Sequence, residues 1–275
     1  MLIFNVLEII LNKHLKNLTL PLQNSTAMAL IHSFEKSGNW LFKHRGELPV
    51  VLFLIAVPVV YFTDKNWLTP AYQHLISWLA AFLSVLGFVI RAISIGTTPK
   101  GTSGRNTKEG QVAESLNTTG IYSTMRHPLY LGNYFMWIGI VLFSFNFSFV
   151  VLISLAFWLY YERIMFAEER FLEKKFGKSY LDWSLTTPAF IPSFKNYKKN
   201  QIPFSLKSVL RREYSGMLAT VFGFMFIDLL RYYFSTGTIT YQRNSVYIFG
   251  IALLIALILR SLKHYTNLLK EEGRS

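Results

Sequence analysis

The chain has 275 residues, of which 52% are hydrophobic and only 16% charged, and its mean hydropathy is +0.31. That usage excludes an ordinary soluble globular domain and an intrinsically disordered chain, and it points to a membrane protein. The 28 Lys and Arg outnumber the 15 Asp and Glu, for a net charge of +13, so the distribution of that charge decides between topology and nucleic-acid binding. With zero cysteines, disulfide frameworks, thiolate metal sites and cysteine nucleophiles are ruled out together.

Residues 1–35 begin MLIFNVLEIILNKHLKNL, with no basic leader and with Glu8 inside the apolar run. The spacing of Leu2, Ile3, Val6, Leu7, Ile10 and Leu11 predicts a helix lying in the plane of the bilayer rather than a secretory signal. Apolar runs of about the ~20 residues needed to cross a bilayer core then occur at 48–63, 75–95, 129–145, 147–166, 215–234 and 245–262. The first and third of these are short. The fold class expected is therefore all-α integral membrane, with about six transmembrane helices and a helical hairpin over 129–166.

Basic residues alternate between the connections. Lys13, Lys16, Lys36, Lys43 and Arg45 precede the first span, while Lys65 stands alone after it. Lys100, Arg105, Lys108 and Arg126 follow the second span, and the turn at Asn146 has none. The long stretch from Arg163 to Arg212 is rich, Arg243 is isolated, and Arg260, Lys263, Lys270 and Arg274 close the chain. This is the positive-inside pattern with both termini cytoplasmic. It assigns most of the excess charge to topology and to anionic lipid, with no nucleic-acid partner. The expected location is a multi-pass protein of the inner membrane in a bacterium or of the endoplasmic reticulum in a eukaryote.

Two polar segments break the apolar chain. Residues 96–126 include GTTPKGTSGRNTKEGQVAESLNTTG, which reads as a loop able to cover a ligand and lacks the pattern of a nucleotide-phosphate loop. Residues 167–214 include EERFLEKKFGKSYLDW, predicted helical until Pro188 and Pro192 stop it. The organisation expected is an interfacial region over 1–47, two spans over 48–95, a core over 96–214 that holds both polar segments and the hairpin, and two further spans with a tail over 215–275.

Chemistry concentrates at two places. In TTGIYSTMRHPLYLG, Arg126, His127 and Tyr130 sit at the mouth of a span, with Pro128 suited to its first turn and with unpaired helix amides favouring an anion. In YYERIMFAEERF, Arg163, Glu168 and Glu169 leave the fourth span at the same face, where a carboxylate suits a ligand ammonium or sulfonium. Interfacial anchoring and a solvated amphipathic helix are the plainer readings of these two motifs. Asp228 and Arg231, three apart within the fifth span, are expected to pair.

Taken together, TTGIY, RHPLYLG, EE, FG..Y..W and P...IP, in order over 114–192, resemble the isoprenylcysteine carboxyl methyltransferase and phospholipid methyltransferase family of integral-membrane enzymes. The resemblance implies S-adenosylmethionine as cofactor, held in a cytoplasmic cofactor pocket within a methyltransferase-like core over 96–214 and contacted by Leu116, Asn117, Tyr122, His127, Pro128, Leu129 and Tyr130, with Glu168 on its ammonium. It places Arg126 and Arg163 on the acceptor side. The family has an Arg four residues before the first Glu, where this chain has Ile164, and Arg163 is one residue earlier, about 100° round the helix. The implied activity is O-methyl transfer to a lipid or lipidated acceptor, with no metal. An arginine suits an anionic acceptor, such as a lipid phosphate (that of lipid A, for example) or a prenylcysteine carboxylate. The alternatives are an NADPH-dependent sterol-type reductase, which carries a similar RHPxY, and a transporter or membrane scaffold.

Overall fold

A computed structural model describes residues 25–63, 68–102, 105–107 and 110–274. The helix expected from Leu2 to Leu11 lies outside them. The described helices are α1 (Ser25–Lys43), α2 (Leu48–Phe62), α3 (Pro70–Gly96), α4 (Pro128–Leu142), α5 (Phe147–Phe176), α6 (Lys178–Ser184), α7 (Leu206–Thr236) and α8 (Asn244–Tyr265). By length and composition α3, α5, α7 and α8 are able to cross a membrane. With 15 residues each, α2 and α4 reach only about 22 Å at ~1.5 Å per residue. All six expected spans therefore coincide with helices, two of them too short to cross a ~30 Å hydrocarbon core upright.

Among the described residues the regular structure is helical except within the polar segment expected to be a loop. There β1 (Arg105–Thr107) and β2 (Gly110–Val112) pair antiparallel, with Thr107 opposite Gly110. The outer faces of the long helices are apolar and exposed, as at Trp78, Phe82 and Val85 of α3, Leu155 and Leu159 of α5, and Ile251 and Leu254 of α8. Contiguous surface of that kind is unfavourable in water and suits lipid.

Between helices the packing relies on small residues. A Cβ on Gly132 of α4 would lie 2.5 Å from Arg91 Cγ and 2.8 Å from the Gly87 carbonyl oxygen of α3. Only glycine allows that approach, the usual device where apolar burial gives no driving force between helices. The shared core joins Ala56 and Val60 of α2, Ile138, Ile140 and Val141 of α4, Phe149 and Ile153 of α5, and Ile227 of α7. The α4–α5 turn is pinned by Asn146, whose side chain accepts from the Phe149 amide at 2.8 Å and donates to Thr63 Oγ1 at 2.9 Å.

That turn returns both polar motifs to one end of the molecule. There the Ser205 amide donates to Gly96 O at 2.8 Å and the Lys100 amide to Gly273 O at 2.9 Å, tying the two polar segments and the C-terminal tail together. The helix predicted over EERFLEKKFGKSYLDW, from Glu168 to Trp183, breaks earlier than Pro188. Gly177 adopts φ 53°, closes α5, and redirects the chain into α6. A residue without Cβ tolerates this conformation, so the FG step ends the helix before either proline acts. α1 packs along the C-terminal half of α5, with Phe34 edge-on to Phe166 and the Tyr160 hydroxyl donating to Leu41 O at 3.2 Å.

Candidate active site

His127 is the residue before the first turn of α4, and Pro128 occupies that turn. An extended strap fixes this helix entrance: the Arg126 amide donates to Pro188 O at 2.9 Å, the His127 amide to Ala189 O at 3.0 Å, and the Ser193 amide to Thr124 O at 2.9 Å. The Trp183 indole donates to Tyr122 O at 3.1 Å. Thus FG..Y..W and P...IP act as one bracket round TTGIYSTMRHP.

Within the bracket, Glu168 is buried and accepts from the Tyr130 hydroxyl at 2.9 Å, with His127 Nδ1 at 3.6 Å. His127 Nε2 bonds Glu169 Oε1 at 2.8 Å. Burial opposes a charged imidazolium, but the two carboxylates outweigh it and raise the His127 pKa above its ordinary value. Burial, reinforced by the Glu168 charge, pushes the Tyr122 phenol up to about 12.

Arg126 holds the arrangement rather than reaching for a ligand. Its Nε and Nη2 donate to Glu169 Oε1 and Oε2 at 2.8 and 3.1 Å, and its Nη1 to Ser184 O and Thr187 O at 2.8 and 2.6 Å. Arg163, expected on the acceptor side, faces α1 instead. Its Nη1 donates to Ser37 Oγ at 3.2 Å and its guanidinium lies 4.6 Å from the Phe34 ring centroid. Five helical residues from Glu168 turn it roughly 140° away from the site.

Two cavities meet at Glu168. The smaller, of about 20 Å³, is lined by Thr102, Leu116, Asn117, Leu172, Tyr180 and Trp183. The larger, of about 540 Å³, extends between α3, α4, α5 and α7. Tyr122, Arg126, His127 and Glu168 line both, while Pro128, Leu129 and Tyr130 line the larger alone. The structure thereby brings every residue expected to contact the cofactor to these two spaces. The larger cavity also crosses the expected organisation, drawing Arg45 and Leu52 from the first segments and Thr220 from the last.

Three features were not singled out from sequence. The first is the buried network in which Arg91 donates through Nε and Nη2 to Glu213 at 2.6 and 2.7 Å and through Nη1 to Asn133 Oδ1 at 2.6 Å. Asn133 Nδ2 donates onward to the Tyr161 hydroxyl at 3.0 Å, so α3, α4, α5 and α7 are linked across the larger cavity. The polar residues Arg91, Asn133 and Glu213 within apolar helices were the available signal. The second is the set of three arginines, Arg45, Arg91 and Arg212, that line that cavity. The third is Tyr180, which lines the smaller cavity and whose buried hydroxyl makes no hydrogen bond of normal geometry among the described residues.

Comparisons with known proteins match the region that carries most of these motifs. The phospholipid methyltransferase family matches residues 75–179. A protein-S-isoprenylcysteine O-methyltransferase of Tribolium castaneum is 28% identical over 125 residues, 46% of this chain and 44% of the relative. The protein of that name from Rattus norvegicus is 28% identical over 142 residues, 50% of each chain. A cobalt-zinc-cadmium resistance protein of Cupriavidus metallidurans is 29% identical over 164 residues, 58% of this chain and 69% of the relative. The chain spans about half the length of these isoprenylcysteine relatives, and no solved structure matches it. The matched residues run from α3 to the start of α6 and contain the RHPLYLG entrance, the paired carboxylates and their hairpin, so over this segment the chain is similar to the phospholipid methyltransferase family and to the isoprenylcysteine O-methyltransferases.

Proposed function

We propose that the protein is an integral-membrane O-methyltransferase that moves a methyl group from S-adenosylmethionine to an anionic acceptor embedded in the membrane. The acceptor class is a lipid phosphate, such as that of lipid A, or an isoprenylcysteine carboxylate. The observation that carries this reading is the placement of Glu168, a buried carboxylate reached from both cavities. One side of it carries the loop residues Leu116 and Asn117, and the other the guanidiniums of Arg45, Arg91 and Arg212.

The residues present fit the donor. Glu168 offers a charge for an ammonium, and the buried Tyr180 hydroxyl offers a hydrogen bond in the same space. At about 20 Å³ the smaller cavity holds far less than such a molecule, so its bulk must extend past Tyr122 and His127 into the larger one. When bound, S-adenosylmethionine supplies an electrophilic methyl group on a sulfonium.

The chain's own task is alignment and exclusion of water, because an anionic oxygen attacks in line and needs no base. The arginines of the larger cavity hold the acceptor oxygens by charge-assisted contacts. Arg126, its donors engaged by Glu169 and the strap, is a positioning residue that keeps the carboxylates and the α4 entrance in register. Apolar lining from Leu52, Met136, Trp137, Ile140 and Phe157 receives the lipid part of the acceptor.

The test is to incubate purified protein in lipid nanodiscs with radiolabelled S-adenosylmethionine and membrane extracts, and to identify labelled species by mass spectrometry. A labelled anionic lipid or lipidated peptide is expected. Binding of NADPH in place of S-adenosylmethionine, or label absent from every acceptor despite a folded protein, overturns the proposal.

A further inference from the structure

At the opposite end of the helices lies a second cavity, of about 260 Å³, lined by Thr63, Gln73, Ser144, Phe145, Arg231 and Arg243 among others. Its charges do not cancel. Asp228, which the sequence pairs with Arg231, is engaged elsewhere: Arg243 donates to both of its oxygens at 2.7 Å and Ser245 Oγ donates to Oδ2 at 2.6 Å. The side chain at three residues' spacing therefore loses its carboxylate to the next connection.

Arg231 is left with a single long hydrogen bond, 3.4 Å from Nη1 to Phe143 O. Its guanidinium lies 3.7 Å from the Phe145 ring centroid and 5.2 Å from that of Phe143. Its Nε and Nη2 have no hydrogen-bond partner among the described residues. A guanidinium does not shed its charge by deprotonation, so a half-buried one against aromatic faces favours an anion with oxygens matched to its remaining donors. Among the described lining residues two guanidiniums face one carboxylate, a net positive cavity.

The depth of the cavity identifies what supplies that anion. α2 ends at Phe62 and α7 at Thr236 beside it, and Tyr61, Phe62, Tyr233 and Tyr241 at this end are exposed. Tyrosines and phenylalanines facing outward at helix ends mark the level of lipid headgroups. We propose that this cavity is a second, non-catalytic site that binds the phosphate group of a membrane lipid through Arg231. The inference is independent of methyl transfer, since none of these residues touches the candidate active site.

Free phosphate presents similar oxygens, and the two sources separate experimentally. Thermal unfolding of the full chain in detergent is followed during titration with dioctanoyl phosphatidylglycerol, inorganic phosphate or dioctanoylglycerol, for the wild type, Arg231→Gln and Ser235→Trp. Ser235→Trp narrows the cavity at an exposed position and keeps the guanidinium, so the test survives if Arg231→Gln fails to fold. Loss of a charged contact predicts an apparent affinity for phosphatidylglycerol about ten- to a hundredfold weaker in Arg231→Gln. Protection by phosphatidylglycerol alone, lost in the variants, assigns a lipid headgroup; equal protection by inorganic phosphate assigns the same site to a soluble phosphate. Unchanged phosphatidylglycerol affinity in both variants, or equal protection by dioctanoylglycerol, overturns the proposal.

Discussion

Removing Arg91 should expose how the larger cavity is held open. Glu213 is 3% exposed and Arg91 19%, and their two hydrogen bonds of 2.6 and 2.7 Å form a bidentate pair. Arg91→Ala leaves a buried carboxylate without its partner and frees Asn133 Oδ1 as well, a change that costs about 3–5 kcal/mol in comparable sites. Replacing both partners by apolar residues of similar volume, Arg91→Met with Glu213→Leu, removes the uncompensated charge and should recover most of that loss. The assay is reversible unfolding in mixed detergent micelles for the single and double variants, with methyl transfer measured in parallel. The expected pattern is a coupling of at least about 2 kcal/mol, with the double variant folded yet impaired in turnover because the acceptor-side guanidinium is gone. Single and double variants equally destabilised would refute the pairwise account. Normal turnover in a folded double variant would remove Arg91 from acceptor binding.

Other substitutions discriminate the assigned roles. Glu168→Gln keeps an acceptor for the Tyr130 hydroxyl but loses the charge, so binding of S-adenosylmethionine by calorimetry should weaken roughly ten- to a hundredfold with the fold retained; undiminished affinity places the donor's ammonium elsewhere. Arg163→Ala should leave turnover within about twofold, because it loses only the Phe34 stacking and the Ser37 contact, worth about 1 kcal/mol. A large drop in turnover with normal unfolding would return Arg163 to the site. For pH, the raised His127 pKa gives a stabilising contribution that is complete below the unfolded histidine value and is lost as pH rises through the folded one. Unfolding midpoints should therefore fall as pH rises from the unfolded value through the folded one in the wild type and not in His127→Gln, and parallel profiles for the two would contradict the His127–Glu168–Glu169 coupling.

Much of the architecture was legible along the chain because lipid imposes a length and a composition on each span. Each of α2, α3, α4, α5, α7 and α8 contains an apolar run, though α5 extends past its run to Phe176 and α7 begins ahead of its run at Leu206, and Pro128 marks the start of α4 as its chemistry requires. The EE and RHP motifs were legible too, since ionisable residues in an apolar chain stand out whatever they contact. Gly177 was harder to weigh: two later prolines carried the stronger stop signal, whereas the backbone turned at the glycine.

Sequence alone determined the helices, the hairpin that returns both motifs to one end, and the RHP and EE motifs that meet there. Tertiary structure decided which cation meets which anion. Arg126 closes on Glu169 and the strap, Arg163 turns to α1, Asp228 takes Arg243 rather than Arg231, and Arg91 finds Glu213 from a helix more than a hundred residues away. The reason is physical: a buried charge needs a partner within about 4 Å, and that distance is fixed by helix rotation and packing, of which spacing along the chain carries no record.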